Sequence, residues 1–158
     1  MLATRLSLQP VRAEDFESML ALRIEAMRPS LERLGRFDPA RARERLLAGF
    51  APKHMRHIVL DGSERIGFVT VKPERDAAGL EVLRLDHLYL RTAHQGQGVG
   101  AWVMAWVKAQ AMNGKRIVDV TALRDSEANR FYQANGFMLK SEEPLDIHYR
   151  WRANGAAA

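Results

Sequence analysis

The segment Gln95-Gly96-Gln97-Gly98-Val99-Gly100-Ala101 carries the residue types best suited to ligand chemistry. It follows an extended run, Glu81 to Leu90, and opens the helical spacing of Trp102, Val103, Trp106, Val107 and Ala111. Amide N–H groups at a helix start lack intrahelical partners, and the helix dipole adds positive potential there. Glycine permits positive φ and lets a ligand approach the backbone closely. This combination makes an anion site suited to phosphate or pyrophosphate. Three glycines in five positions are costly for a purely structural turn, at roughly 1 kcal/mol each inside a helix.

The elements that must position these residues can be read along the chain. Leu6 and Leu8 alternate within a first strand over Arg5–Arg12. Glu14 and Asp15 open a helix with Phe16, Met19, Leu20, Leu22, Arg23 and Met27 in its pattern, which Pro29 is expected to end. Asp38-Pro39 starts a second helix running to about Leu47, with Gly49 able to close it. His57–Leu60 and Ile66–Val71 read as strands around Asp61-Gly62, and Lys72–Gly79 as a polar loop. Glu81–Leu90 is a longer strand, the helix beginning at Val99 ends at Asn113-Gly114, and Ile117–Ala122 is a buried strand. A short helix from about Glu127 to Asn135, capped by Gly136, precedes strands at Phe137–Leu139 and Ile147–Trp151. The order β-α-α-β-β-β-α-β-α-β-β predicts a mixed α/β fold with a mostly antiparallel central sheet and flanking helices. One domain is expected over residues 1–152, with a frayed tail at 153–158.

Three anionic ligands compete for the glycine turn. A nucleotide P-loop requires Gly-Lys-Ser/Thr, and no lysine follows these glycines. Gly96-x-Gly98-x-x-Ala101 formally fits a dinucleotide fingerprint, with Asp119 about 20 residues on. However, Arg91–Gln95 separate the strand from the first glycine, and Asp119 lies inside a strand rather than at its end. The third reading is a resemblance. Gln95-x-x-Gly98-x-Gly100 resembles the Gln/Arg-x-x-Gly-x-Gly/Ala signature of the GNAT superfamily of N-acetyltransferases. Asn129-Arg130-Phe131-Tyr132, followed by Gly136-Phe137, is similar to that superfamily's second signature, Asn-x-x-Phe-Tyr-x-x-x-Gly-Phe. One helix and one strand separate the two motifs, and the element order over about residues 5–151 agrees.

The resemblance implies a GNAT fold and direct transfer of an acetyl group from acetyl-CoA to a primary amine, with no metal and no covalent enzyme intermediate. It implies that Gln95, Gly96, Gln97, Gly98, Val99, Gly100 and Ala101 hold the pyrophosphate, and that the backbone of Leu88, Tyr89 and Leu90 pairs with the pantetheine arm. Ser126, Asn129 and Tyr132 carry over as further coenzyme contacts, and Tyr132 as the acid that protonates the departing thiolate. A phenol's ordinary pKa of about 10 lies near a thiol's, which suits that role. Relatives often place a Glu or His nine or eleven residues before the signature Gln/Arg; here those positions are Asp86 and Arg84. Asp86 is the candidate base, directly or through water, or else an anchor for the cationic acceptor; the structural alternative is a salt bridge with Arg84. His87 has the opposite strand parity and should face the other side of the sheet. Arg28, Ser30, Asp146 and Tyr149 fall where relatives form the acceptor groove. Trp102 and Trp106, at i and i+4, read as core, and His54, His57, His94 and His148 as surface or strand residues.

Composition narrows the alternatives. The 158 residues are 47% hydrophobic and 27% charged, ordinary values for a folded domain. The absence of cysteine excludes disulfides, thiolate metal ligands and a cysteine nucleophile. Met1–Arg12 has no signal-peptide core and no run approaches the ~20 apolar residues of a membrane span, so a cytoplasmic protein without membrane attachment is expected. The net charge of +5 comes largely from Arg23, Arg28, Arg33, Arg36, Arg41, Arg43 and Arg45. Glu25, Glu32, Asp38 and Glu44 interleave with them, which reads as a solvated helix face and not as a nucleic-acid stripe. The rival functions are an acyl-CoA sensor without efficient transfer, a peptide N-acetyltransferase and a nucleic-acid binder. Relatives are often dimers, so a homodimer is the expected assembly.

Overall fold

A computed structural model describes residues 2–114 and 117–153. A short helix α1 (Leu2–Arg5), not anticipated from sequence, precedes β1 (Leu6–Pro10). There follow α2 (Phe16–Arg33), α3 (Pro39–Gly49), β2 (Met55–Leu60), β3 (Glu64–Arg75), β4 (Glu81–Leu90) and α4 (Val99–Met112). The chain ends with β5 (Ile117–Leu123), α5 (Ala128–Ala134), β6 (Met138–Glu142) and β7 (Asp146–Arg152). The sheet order is β1-β2-β3-β4-β5-β7-β6. Pairs β1/β2, β2/β3, β5/β7 and β6/β7 are antiparallel, and β4/β5 is parallel. This is the mixed α/β architecture expected. From residue 154 on, the expected frayed tail lies outside the described residues. Among the described residues no helix is long and apolar enough to cross a membrane.

Two compact units divide the chain, one comprising residues up to Thr70 with His87–Gly100, the other Val71–Asp86 with residues from Ala101 onward. In the first, α2 and α3 bury Met19, Leu20, Leu22, Ala42 and Leu46 in one cluster with Met55 of β2 and Phe68 of β3. Asp38 caps α3 by accepting from the amides of Ala40 and Arg41, as its position before Pro39 predicts. Pro29 does not end α2, however. The helix continues to Arg33 and stops at a Schellman motif, in which Gly35 N–H donates to Glu32 and Arg36 N–H to Leu31. The Arg28–Glu32 ion pair (3.3 Å) spans the proline, and the Arg28 guanidinium packs over Phe37 (4.5 Å), so side-chain contacts recover part of the proline's cost.

In the second unit, β3 extends through Lys72–Arg75, which the sequence reading gave to a loop. Cross-hairpin pairs hold these polar residues extended: Lys72 with Asp86 (3.3 Å) and Arg75 with Glu81 (3.4 Å). Asp76 shapes the turn, its Oδ1 accepting from Ala78 N–H and Leu80 N–H. Val103, Met104, Val107 and Ala111 form the buried stripe of α4, and Trp102 and Trp106 flank it half-buried instead of filling the core. Asp119, inside β5, is gripped by Arg150 (2.6 Å) and Lys140 (3.2 Å), a structural use that agrees with rejecting the dinucleotide reading.

Candidate active site

The glycine turn is assembled by its own backbone and by α2. Beyond β4, Arg91 N–H donates to Ile66 (2.8 Å), and one 3₁₀ turn spans Thr92–His94. Gln95 folds its amide back to the Leu90 carbonyl (2.9 Å), and Gln97 to that of Ala93 (3.3 Å). Both glutamines therefore shape the loop. From α2, Glu25 accepts Arg91 Nε (3.3 Å) and Thr92 Oγ1 (3.2 Å). Gly96 and Gly98 adopt φ of 73° and 88°, a region that side-chain-bearing residues enter at a cost, and nothing lies within 4 Å of where a Cβ would stand on either. Among the described residues, the N–H groups of Gly96, Gln97 and Gly98 have no protein acceptor. Helix α4 begins at Val99, adding its own first-turn donors and dipole. An exposed stretch of backbone donors results, of the kind that binds anions.

Strand β4 leads into this turn. Its parallel ladder with β5 comprises Leu83↔Val118, Arg84↔Asp119 and Leu85↔Val120, whereas β4 continues to Leu90. Leu88–Leu90 thus take no part in that ladder. Side-chain parity follows the sequence reading: Leu83, Leu85 and His87 are buried, while Arg84, Asp86, Leu88 and Leu90 are intermediate. His87 faces away from Asp86, its Nδ1 2.9 Å from Thr70 Oγ1 and its ring against Phe68. The alternative role for Asp86, a salt bridge with Arg84, is not seen among the described residues. Asp86 pairs with Lys72, and Arg84 donates to Thr121 Oγ1 (2.5 Å).

On α5, Tyr132 is 7% exposed and packs against Phe131 (5.5 Å), Phe137 (5.6 Å) and Tyr149 (6.2 Å). Asn129 is fully engaged inside the protein. Its Nδ2 donates to the carbonyls of Leu123 and Ser126 (both 2.9 Å), and its Oδ1 accepts from Tyr149 Oη (2.7 Å). Ser126 Oγ also donates to Leu123 (2.7 Å). Tyr149, read as an acceptor contact, is buried, and burial raises its pKa above the ordinary phenol value. Arg28 is likewise committed to Glu32 and Phe37.

Two residues escaped the sequence reading. Arg23, assigned there to a solvated face, is 7% exposed; its Nη1 donates to the Ala42 carbonyl (2.6 Å) and its Nε to Tyr89 Oη (3.2 Å). The signal was present, because Arg23 falls on the stripe of Met19, Leu20 and Met27. His57, read as a surface or strand residue, is 2% exposed with Nε2 2.9 Å from Asp15 Oδ2. That contact, the Arg12 amide and nearby Arg65 hold the Asp15 carboxyl down at about 2.

Comparisons with known proteins agree with this geometry. No curated protein matches the chain by sequence. Among solved structures, PaiA N-acetyltransferase from Thermoplasma acidophilum in complex with coenzyme A superposes with a TM-score of 0.72 at 15% identity, over 93% of this chain and 98% of that one. An acetyltransferase from Thermus thermophilus gives 0.71 at 24% identity, covering 96% and 99%. YncA from Salmonella typhimurium, solved with acetyl-CoA, gives 0.64 at 16% identity, covering 98% and 97%. These likenesses show a shared fold. The family model for the acetyltransferase (GNAT) domain matches residues 53–139, more than half the chain, from the approach to β2 through the glycine turn and α5 into β6. The protein therefore belongs to the GNAT acetyltransferase family.

Proposed function

We propose that this protein is an N-acetyltransferase that moves the acetyl group of acetyl-CoA onto the primary amine of a small molecule by direct attack. One observation carries the reading: the donor-lined turn at Gly96–Gly98, open to ligand and backed by the start of α4. A pyrophosphate needs several converging donors, and this loop offers them with no rearrangement. The β4 segment Leu88–Leu90, beyond the end of its ladder with β5, supplies backbone groups for the coenzyme's amide-bearing arm.

The transfer forms a C–N bond and breaks a C–S bond; the ammonium nitrogen gives up two protons, one to a base before attack and one after it, and the departing thiolate takes up one. Tyr132, held by three aromatic rings, is the proposed donor to sulfur. Asp86 is the proposed receiver of the ammonium proton, through a water. Lys72 Nζ stands 3.3 Å from its Oδ2 and fixes where the carboxylate points. Asn129 serves by fixing the loop before α5, and with it the angle at which Tyr132 is presented.

The test combines titration calorimetry of acetyl-CoA with thiol release across an amine panel. Gly98→Glu places a side chain where φ is 88° and a carboxylate where an anion should bind. Coenzyme affinity should fall by about a hundredfold or more. Equal heats for parent and variant would remove the glycine turn from the site.

A further inference from the structure

Arg23 is a buried cation that pairs with no carboxylate among the described residues. Of its donors, Nε and Nη1 are used on Tyr89 Oη and the Ala42 carbonyl, and Nη2 has no acceptor among the described residues. Tyr89 Oη accepts from Nε, so its own proton must go elsewhere, and no described residue receives it. Two adjacent groups, a guanidinium and a phenol with the guanidinium carbon 5.5 Å from the ring centre, thus present donors without an acceptor. The carboxylates of α2 cannot supply one, because Glu17 is paired with Arg43, Glu25 with Arg91 and Glu32 with Arg28. Burying a charge without a counter-charge is costly, and so is leaving buried donors unsatisfied. A carboxylate between Nη2 and the phenol O–H would remove both costs with charge-assisted hydrogen bonds.

We propose that Arg23 and Tyr89 form a carboxylate-binding subsite, and that the acceptor amine therefore belongs to a molecule that also carries a carboxylate, of the amino-acid class. This rests on the acetyl-transfer reading above and narrows its acceptor. Tyr89 lies on the β4 segment between Leu88 and Leu90, so a group held by its hydroxyl is held from the strand that carries the proposed donor site.

The experiment measures kcat/KM of the wild-type protein with acetyl-CoA on matched pairs, each an ω-amino acid and the alkylamine of the same length. The carboxylate-bearing member should be preferred by about tenfold to a hundredfold at its best chain length. That ratio should shrink several-fold in Tyr89→Phe, which keeps the ring, and in Arg23→Lys, which keeps the charge but loses the planar fork. Equal rates for acid and alkylamine, or a ratio unchanged in both variants, would overturn the subsite. Should formate raise the alkylamine rate to that of the acid, the subsite takes a free anion, and the claim about the acceptor is wrong. If no amine of either kind is acetylated although the coenzyme binds, acetyl transfer itself fails and the subsite's role falls with it. The wild-type comparison stands whether or not either variant folds.

Discussion

Replacing Gly67 with alanine adds one methyl group to β3 at a point where the next backbone has no room. The new Cβ would fall inside the contact radius of the Tyr89 carbonyl oxygen, 2.9 Å from Leu90 Cδ2 and 3.2 Å from Ile58 Cδ1. The two methyl groups can turn aside. The carbonyl cannot, because it belongs to the main chain at the end of β4. An ordinary C···O separation is about 3.3 Å, so the strands must part by roughly 1 Å. Overpacking of this kind costs about 1–3 kcal/mol. Alanine recovers about 0.4–1 kcal/mol by restricting the unfolded chain. A net loss of about 1–2 kcal/mol follows, which for a chain of 158 residues is a drop in Tm of about 2–8 °C. Displacing the carbonyl of Tyr89 also shifts the strand leading into the glycine turn, so coenzyme affinity should weaken several-fold. Thermal and urea unfolding measure the first effect and calorimetry with acetyl-CoA the second. Gly114→Ala is the control, since nothing lies within 4 Å of its Cβ position and stability should hold or rise slightly. Equal Tm and equal affinity in Gly67→Ala would refute the close approach of β3 and β4 and the transmission of strain along β4.

Tyr132→Phe keeps the aromatic packing and removes the hydroxyl; turnover should fall about a hundredfold while coenzyme binding is retained, and unchanged kcat would take Tyr132 out of the mechanism. Asp15→Asn should cost about 2 kcal/mol at neutral pH, the linkage value of a carboxyl held at about 2 against an ordinary 3.8. Because the folded-state value is depressed, the stabilisation is complete above about pH 4 and disappears as pH falls through about 2. Parent and variant unfolding curves should therefore converge at the acid end, and a gap that stayed constant with pH would assign the loss to packing.

The glycine turn was legible because its causes are local: Gly96 and Gly98 lie within a few residues of both the strand that ends and the helix that begins. Asp38-Pro39 was legible for the same reason. The end of α2 lies beyond Pro29 because the proline removes one backbone bond, whereas the stop at Leu34-Gly35 turns the chain out of the helix altogether. The partner of Asp86 required knowing the register of a hairpin, which parity along one strand does not give. Arg23 set two signals against each other. Its position on the helix pointed inward and its charge outward, and the acceptors that settled the matter lie 19 and 66 residues away in the chain.

Asn129 shows how far a motif carries. The spacing Asn-x-x-Phe-Tyr identified the family, and by resemblance the amide was expected on the coenzyme. In this chain both of its ends are engaged, Nδ2 on the carbonyls of Leu123 and Ser126 and Oδ1 on the hydroxyl of Tyr149. Reaching a ligand would require giving up one of these bonds in a half-buried setting, at about 1–3 kcal/mol. The amide is better placed to hold the loop, where Asp125 has a φ of 68°, in the shape that starts α5 and aims Tyr132. A match to a pattern thus names a residue's family, and the hydrogen bonds it makes show which backbone it fixes.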